Sequence, residues 1–437
     1  MWAPPVTEGV LPITGMRMGR LLDALAVVYR LLGLDQVGDE VFEQLVTARI
    51  IEPTSKQDAG RVLAEAGMPA VSYATVRRRL PGYATTEFRQ RLSGVLAARA
   101  DLGPSALCLY DVTTLYFETD TPDGVRQPGF SKERRLEPQI TVGMLTDAHG
   151  LPLMVEAFSG NTAETKTMIP VITAFVTAHG VTGVTVLADA GMLSEANLHQ
   201  IEDTGWGFVV GGKLSDIPDV ITGWRLDHPG ADPPDGLVLS HRVMMGGTAD
   251  PRWRMIHYQY KTDRAHRSVR GIDEQIRKAE RTAAGHAQAG LKRNRFLTLS
   301  GGVRTVNRDL ETRARTLAGW KAYVTNVDQP PATIIGWYHQ LWHVEHSFRM
   351  SKHDLRARPL YHHKEESIRA HLAIVMGALA VSRRVEQLTG WTISRFVRTF
   401  RAYRQVTVDT GYRTATAEQP LPANHQTILD HIHAVRD

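Results

Sequence analysis

Three acidic residues of this chain stand where strands or a helix can deliver them to one place. Asp111 lies within the apolar run LCLYDVTTLYFE, and Asp189 closes VTVLAD at the head of VTVLADAGMLSEANL. Glu345 falls in WYHQLWHVEHSFRMSKHDLRAR, a stretch with helical periodicity. Cleaving a phosphodiester needs an activated water and a stabilised leaving oxygen, and two magnesium ions about 3.5–4 Å apart supply both. Mg²⁺ prefers oxygen ligands and keeps some of its water, so a few carboxylates suffice. Adjacent strands about 4.8 Å apart can bring Asp111 and Asp189 to one metal pair, with Glu345 closing it from a helix.

Around Glu345, residues Tyr338, Leu341, Arg349, Lys352 and Arg356 stand at −7, −4, +4, +7 and +11. That spacing predicts one stripe on one helix. Arg349, Lys352 and Arg356 would grip phosphates beside the metal ligand, and Tyr338 would stack on a base or bond a phosphate. The plainer reading of Glu345 alone is a surface i,i+4 pair with Arg349, worth a few tenths of a kcal/mol. The two aspartates tip the balance toward a metal site.

Charge follows the same segment. The net charge is +5, yet residues 264–315 hold 13 Lys/Arg against 5 Asp/Glu, and residues 343–404 hold 12 against 5. The rest of the chain is therefore acidic. A polyanion such as DNA rewards that concentration through counterion release, although basic blocks are often only solvated helix faces. The chain has 437 residues, 43% of them hydrophobic, enough for several compact units with real cores. No apolar run approaches the roughly 18 residues needed to span a bilayer, so no membrane partner is expected. The single cysteine, Cys108, rules out disulfides within the chain and reads as a buried core thiol.

The elements that must position the acids can be read in order. Residues 1–103 form an N-terminal helical region, in which Ser72 caps a helix carrying Arg77, Arg78 and Arg79. Helix, glycine turn and arginine-bearing helix match a helix-turn-helix, or more plainly a bundle with a basic face. Residues 104–213 read β-β-β-α-β-α-β, opening with a meander whose turn is Asp147–Gly150. That order is the first part of a ribonuclease-H-like α/β core. Residues 214–319 form a mixed, β-rich inserted subdomain, residues 320–385 resume the core with the Glu345 helix, and 386–437 form a C-terminal helical region.

The motifs DVTTLYFE, GFSKERRLEPQITVGML, LPLMVEAFSGNTAETKTM and LADAGMLSEANL, with Y-x2-L-x3-E-x6-K from Tyr338 to Lys352, carry a specific resemblance. The chain resembles the DDE transposases of the IS4 superfamily, close to the IS1634/IS1549 group of bacterial insertion sequences. The match runs from roughly Ala106 to Leu379. It implies that Asp111, Asp189 and Glu345 are the catalytic, metal-binding triad for two Mg²⁺ (or Mn²⁺) ions. It implies nicking at the ends of an element and attack of the released 3′-hydroxyl on target DNA. Double-stranded DNA as partner, a homodimer in a synaptic complex and a bacterial cytosolic, nucleoid-associated setting follow from the same resemblance. The superfamily signature usually has arginine where Leu341 stands, and Arg349 is the nearest replacement. A tryptophan of the insertion region, Trp224, Trp253 or Trp320, is a candidate to hold a flipped base.

Lys132 in GFSKERR joins Arg77 and Arg78 as a candidate DNA contact, weighed against a solvated loop. His339, His343 and His346 share H-x3-H spacing, but no H-E-x-x-H pattern supports zinc. The rival functions are a nuclease of the same fold without strand transfer and an inactive DNA-binding remnant. The short stretch ahead of the first helix suggests that such chains begin further upstream.

Overall fold

The protein is described by a computed structural model covering residues 11–436, apart from 101, 103–105, 118–122, 124, 130–136, 192–193, 248–249, 285–293, 301–302 and 359–363. It is a mixed α/β protein with a helical N-terminal region. It divides into two units, Met1–Val184 with Gln340–Asp437, and Thr185–His339.

The first unit begins with β1 (Ile13–Arg17) and five helices, α1 (Gly19–Leu31), α2 (Glu40–Ile51), α3 (Ala59–Ala66), α4 (Tyr73–Ala84) and α5 (Thr86–Ala97). Gly67 ends α3 in the left-handed conformation, φ 79°, where a Cβ would lie 2.4 Å from the Met16 carbonyl oxygen. Only glycine fits there. Ser72 caps α4 by accepting from the Thr75 N–H at 3.2 Å, a bond worth about 1 kcal/mol. Strands β2 (Leu107–Tyr116), β3 (Gln139–Thr146) and β4 (Pro152–Ser159) then form an antiparallel meander with Asp111 opposite Met144. Asp147 fixes the β3–β4 turn by accepting from the N–H groups of His149 and Leu151. Helix α6 (Met168–His179) packs on β3 and β4.

The second unit holds β5 (Thr185–Ala188), α7 (Glu195–Asp203), β6 (Gly207–Gly212), α8 (Asp219–Asp227), β7 (Val238–Met245) and β8 (Arg252–Tyr260). It continues with α9 (Thr262–Ala283), β9 (Leu297–Ser300), β10 (Val303–Val306), α10 (Arg308–Thr316), β11 (Trp320–Thr325) and α11 (Pro331–His339). Strand β5 runs parallel to β6, and β11, β8 and β7 follow beyond β6 as antiparallel neighbours. The segment after residue 213 thus lends two strands to the unit's own sheet. Its remainder is a small cluster in which Ile272, Ile276 and Ala279 of α9 pack with Phe296. Fully buried Arg254 of β8 bonds Glu202 at 2.9 Å and pairs with Glu195, pinning α7 onto the sheet.

The chain then returns to the first unit with α12 (Leu341–His353), α13 (Glu365–Thr389), α14 (Ile393–Phe400), β12 (Gln405–Asp409), β13 (Thr414–Glu418) and α15 (Ala423–His433). Helix α13 is apolar all round from Leu372 to Val381, the pattern of a core helix. It packs against α1, α2, α4, α5, α12, α14, α15 and β4. A Cβ at Gly377 would meet Val46 at 3.0 Å, so α2 and α13 lie close. The segment 386–437 departs from the helical expectation, because β12 and β13 form a hairpin whose β12 edge pairs with β1. The run QVTVD alternates in a strand period, but its partner β1 lies near the other end of the chain.

Candidate active-site carboxylates

In the first unit, Asp111 occupies the middle of β2, half-buried, with Oδ1 accepting from the Val112 N–H at 2.8 Å. Helix α12 packs on β2 and β3 and buries Leu341, Val344, Phe348 and Met350. Buried Ser347 donates to the Gly150 carbonyl at 2.8 Å, tying the helix to the β3–β4 turn. Glu345 and Arg349 are exposed on the other face of α12. The apolar spacing of α12 is what turns them outward.

In the second unit, Asp189 directly follows β5 and is exposed. Its Oδ1 accepts from the Ala190 N–H at 2.8 Å and from the Tyr338 hydroxyl at 3.1 Å. Both aspartates therefore share one local arrangement, the carboxylate turned onto the next backbone N–H. Tyr338 is 6% exposed. Its ring meets Tyr323 edge-on at 5.1 Å, and the Lys321 ammonium lies 4.2 Å from the ring centre. A Cβ on Gly211 would come 2.8 Å from the Tyr338 hydroxyl oxygen and 3.4 Å from Ala190 Cβ. Gly211 thus leaves the passage through which the hydroxyl reaches Asp189. Sequence reasoning missed Gly211, Lys321 and Tyr323, and the only signal was a glycine pair inside an apolar strand.

The expected single stripe from Tyr338 to Arg356 is not on one helix. Helix α11 ends at His339, α12 starts at Leu341, and Gln340 forms the turn between them. A straight helix places Tyr338 and Glu345 on the same face, seven residues apart. Tyr338 is buried at the end of α11, and Glu345 is exposed on α12. Leu341 is buried and contributes packing. Lys352 is half-buried in the last turn of α12, and Arg356 lies beyond the helix end, exposed, with φ 44°.

The remaining candidates sort by exposure. Arg77 and Arg78 are exposed on α4, which turns Val76 and Tyr83 inward. Lys132 lies outside the described residues. Trp320 is a core residue packed edge-on against Tyr260, so it cannot receive a base. Trp224 stacks on His228 at 4.5 Å. Trp253 is 53% exposed, with Arg242 5.2 Å from its ring centre. Cys108 is buried, and burial, with the nearby Asp147 carboxylate, pushes its thiol up to about 12, so it is inert as a nucleophile.

His346 bonds Glu386 at 2.9 Å, and His343 contacts Arg383 at 3.2 Å. No group of three or more His, Cys, Asp or Glu side chains disposed to hold a metal is found among the described residues. No helix of the described residues is long and apolar enough to cross a membrane.

Residues 103–381 match the family model described as "Transposase DDE domain". The chain belongs to this family of DDE transposases. The DDE domain so matched contains Asp111, Asp189 and Glu345, and it spans the meander, the whole second unit, α12 and most of α13. No curated protein matches this transposase. Among solved structures, the piggyBac transposase synaptic complex with hairpin DNA aligns at 10% identity with a TM-score of 0.39, covering 88% of this chain and 70% of that one.

Proposed function

We propose that this transposase cuts the ends of an IS4-type insertion element and joins the released 3′-hydroxyl to target DNA. Asp111, Asp189 and Glu345 are the catalytic carboxylates and hold two Mg²⁺ or Mn²⁺ ions. The observation that carries this reading is the hydrogen bond from Tyr338 to Asp189. Two residues marked separately as triad member and signature tyrosine, 149 positions apart, meet at one carboxylate.

The donor set fits hard divalent cations, since all three side chains offer carboxylate oxygens. Both aspartates are oriented by the following N–H, and Asp189 and Glu345 are open to solvent. Bound ions would lower the pKa of the attacking water or hydroxyl and stabilise the leaving oxygen. Tyr338 holds Asp189 in one rotamer, so the carboxylate is set before DNA arrives. Exposed Arg349 and Arg356, with Lys352, bind the phosphates on either side of the scissile bond. Arg77, Arg78 and Lys132 extend the contact along double-stranded DNA. Trp253 presents an open ring face suited to a stacked base.

A homodimer brings two element ends together in a synaptic complex, acting on the nucleoid of a bacterial cell. The test is cleavage of labelled element-end DNA with Mg²⁺, comparing wild type with Asp189→Ala. The reading requires the variant to lose cutting, and retained cutting refutes it. Pre-cleaved ends offered with target DNA then separate strand transfer from simple hydrolysis.

A further inference from the structure

The segment 355–357 that follows α12 is held in an unusual way. Its backbone donors close the helix end, with Leu355 N–H on the Met350 carbonyl at 3.0 Å and Ala357 N–H on the Ser351 carbonyl at 2.8 Å. Its three consecutive carbonyls accept from buried basic side chains. Arg49 Nη1 lies 3.4 Å from the Leu355 oxygen and 3.5 Å from that of Arg356, and His371 Nε2 lies 3.3 Å from the Ala357 oxygen. Behind His371, Lys56 Nζ is 3.4 Å from Nδ1. A ring that accepts from Lys56 at Nδ1 and donates from Nε2 to the Ala357 carbonyl fits both contacts.

Arg49, Lys56 and His371 are all buried. Burial holds Arg49 down to about 10 and Lys56 down to about 7, the latter also through nearby Arg49. A chain keeps such groups inside at a cost in solvation, so their arrangement calls for a role. Leu355 and Ala357 are buried, whereas the Arg356 between them is exposed. Arg356 is also the one non-glycine residue with positive φ among the described residues, at 44°. Such a conformation persists where its surroundings over-determine it.

We propose that Arg49, Lys56 and His371 are positioning residues that fix the 355–357 segment and so aim Arg356, and with it the last turn of α12, at a DNA phosphate. This inference rests on the proposed DNA contact of Arg356. None of the three anchor residues touches DNA. Arg49 comes from α2 and His371 from α13, so two helices far apart in sequence hold the strap that carries Arg356.

The test measures affinity of the full chain for a labelled random-sequence duplex at several salt concentrations, because phosphate contacts are sequence-independent. Arg356→Ala weakens binding about three- to tenfold and lowers the salt slope by about one. Arg49→Met gives a similar loss, and adding it to Arg356→Ala gives no further loss. Additive losses overturn the inference, because a merely structural role for Arg49 acts regardless of Arg356.

A second variant, Arg49→Lys, keeps the charge but loses the planar fork. Hydrogen exchange across 350–357 rises in Arg49→Lys while the rest of the first unit keeps its protection, and unchanged exchange there also overturns the inference. If Arg356→Ala leaves affinity and salt slope untouched while exchange rises in Arg49→Lys, the DNA contact falls and the anchoring of the strap stands.

Discussion

The Tyr338 hydroxyl reaches Oδ1 of Asp189 at 3.1 Å through a gap that Gly211 leaves open. The contact joins α11 to the end of β5 within the second unit. It also fixes which oxygen of Asp189 is committed to the protein.

Removing that hydroxyl alone should be felt in the chemical step. Tyr338→Phe keeps the ring against Tyr323 and deletes one hydrogen bond to a carboxylate, worth about 1.5–3 kcal/mol. Single-turnover cleavage should fall about 10- to 100-fold with little change in DNA affinity. An unchanged cleavage rate would show that Asp189 needs no such support.

Gly211→Ala should reproduce that loss from the other side. The added Cβ would come within 2.8 Å of the Tyr338 oxygen, so the hydroxyl must move. The combined variant with Tyr338→Phe should cleave no more slowly than either alone, as expected when two changes act on one contact. Independent, multiplying losses in the cleavage assay would contradict the shared path.

Stability of the second unit should depend on the buried arginine of β8. Arg254→Met takes both hydrogen bonds from Glu202, whose side chain is 9% exposed, and leaves it with the Arg252 guanidinium at 3.6 Å. Breaking a buried pair in this way costs about 3–5 kcal/mol. Thermal or denaturant unfolding should show a clear loss, and a variant as stable as wild type would show that the pair contributes nothing net.

The first unit also carries a pH dependence of definite sign. Burial, then the charges of Arg383, His149 and His346, hold the His343 imidazole down to about 4 from its ordinary 6.5. Between those values the unfolded chain takes up a proton that the folded protein does not, so this contribution is present above pH 6.5 and lost as pH falls toward 4. His343→Gln should flatten the fall of the unfolding midpoint over that range. An identical slope in the variant would remove His343 as its source.

Much of this was legible in the chain itself. Asp111 and Asp189 are legible because one lies within an apolar, strand-like run and the other directly follows one, and Ser72 caps the helix its spacing suggests. The turn at Gln340 was not legible, since no proline or glycine marks it. The β1–β12 pairing escaped for a different reason, because partners nearly 400 residues apart leave no local signal. The same holds for Arg49, whose carbonyl partners lie 306 and 307 residues away.

Metal rescue addresses the triad most directly. Cysteine placed singly at positions 111, 189 and 345 replaces a hard oxygen donor with a thiolate that favours softer ions. The native Cys108 is buried and gives no competing thiolate. Each variant should be inactive on element-end DNA with Mg²⁺ and regain cleavage with Mn²⁺ or Cd²⁺. A variant that cuts normally with Mg²⁺, or one position that no softer ion restores while the other two recover, would contradict a shared metal pair.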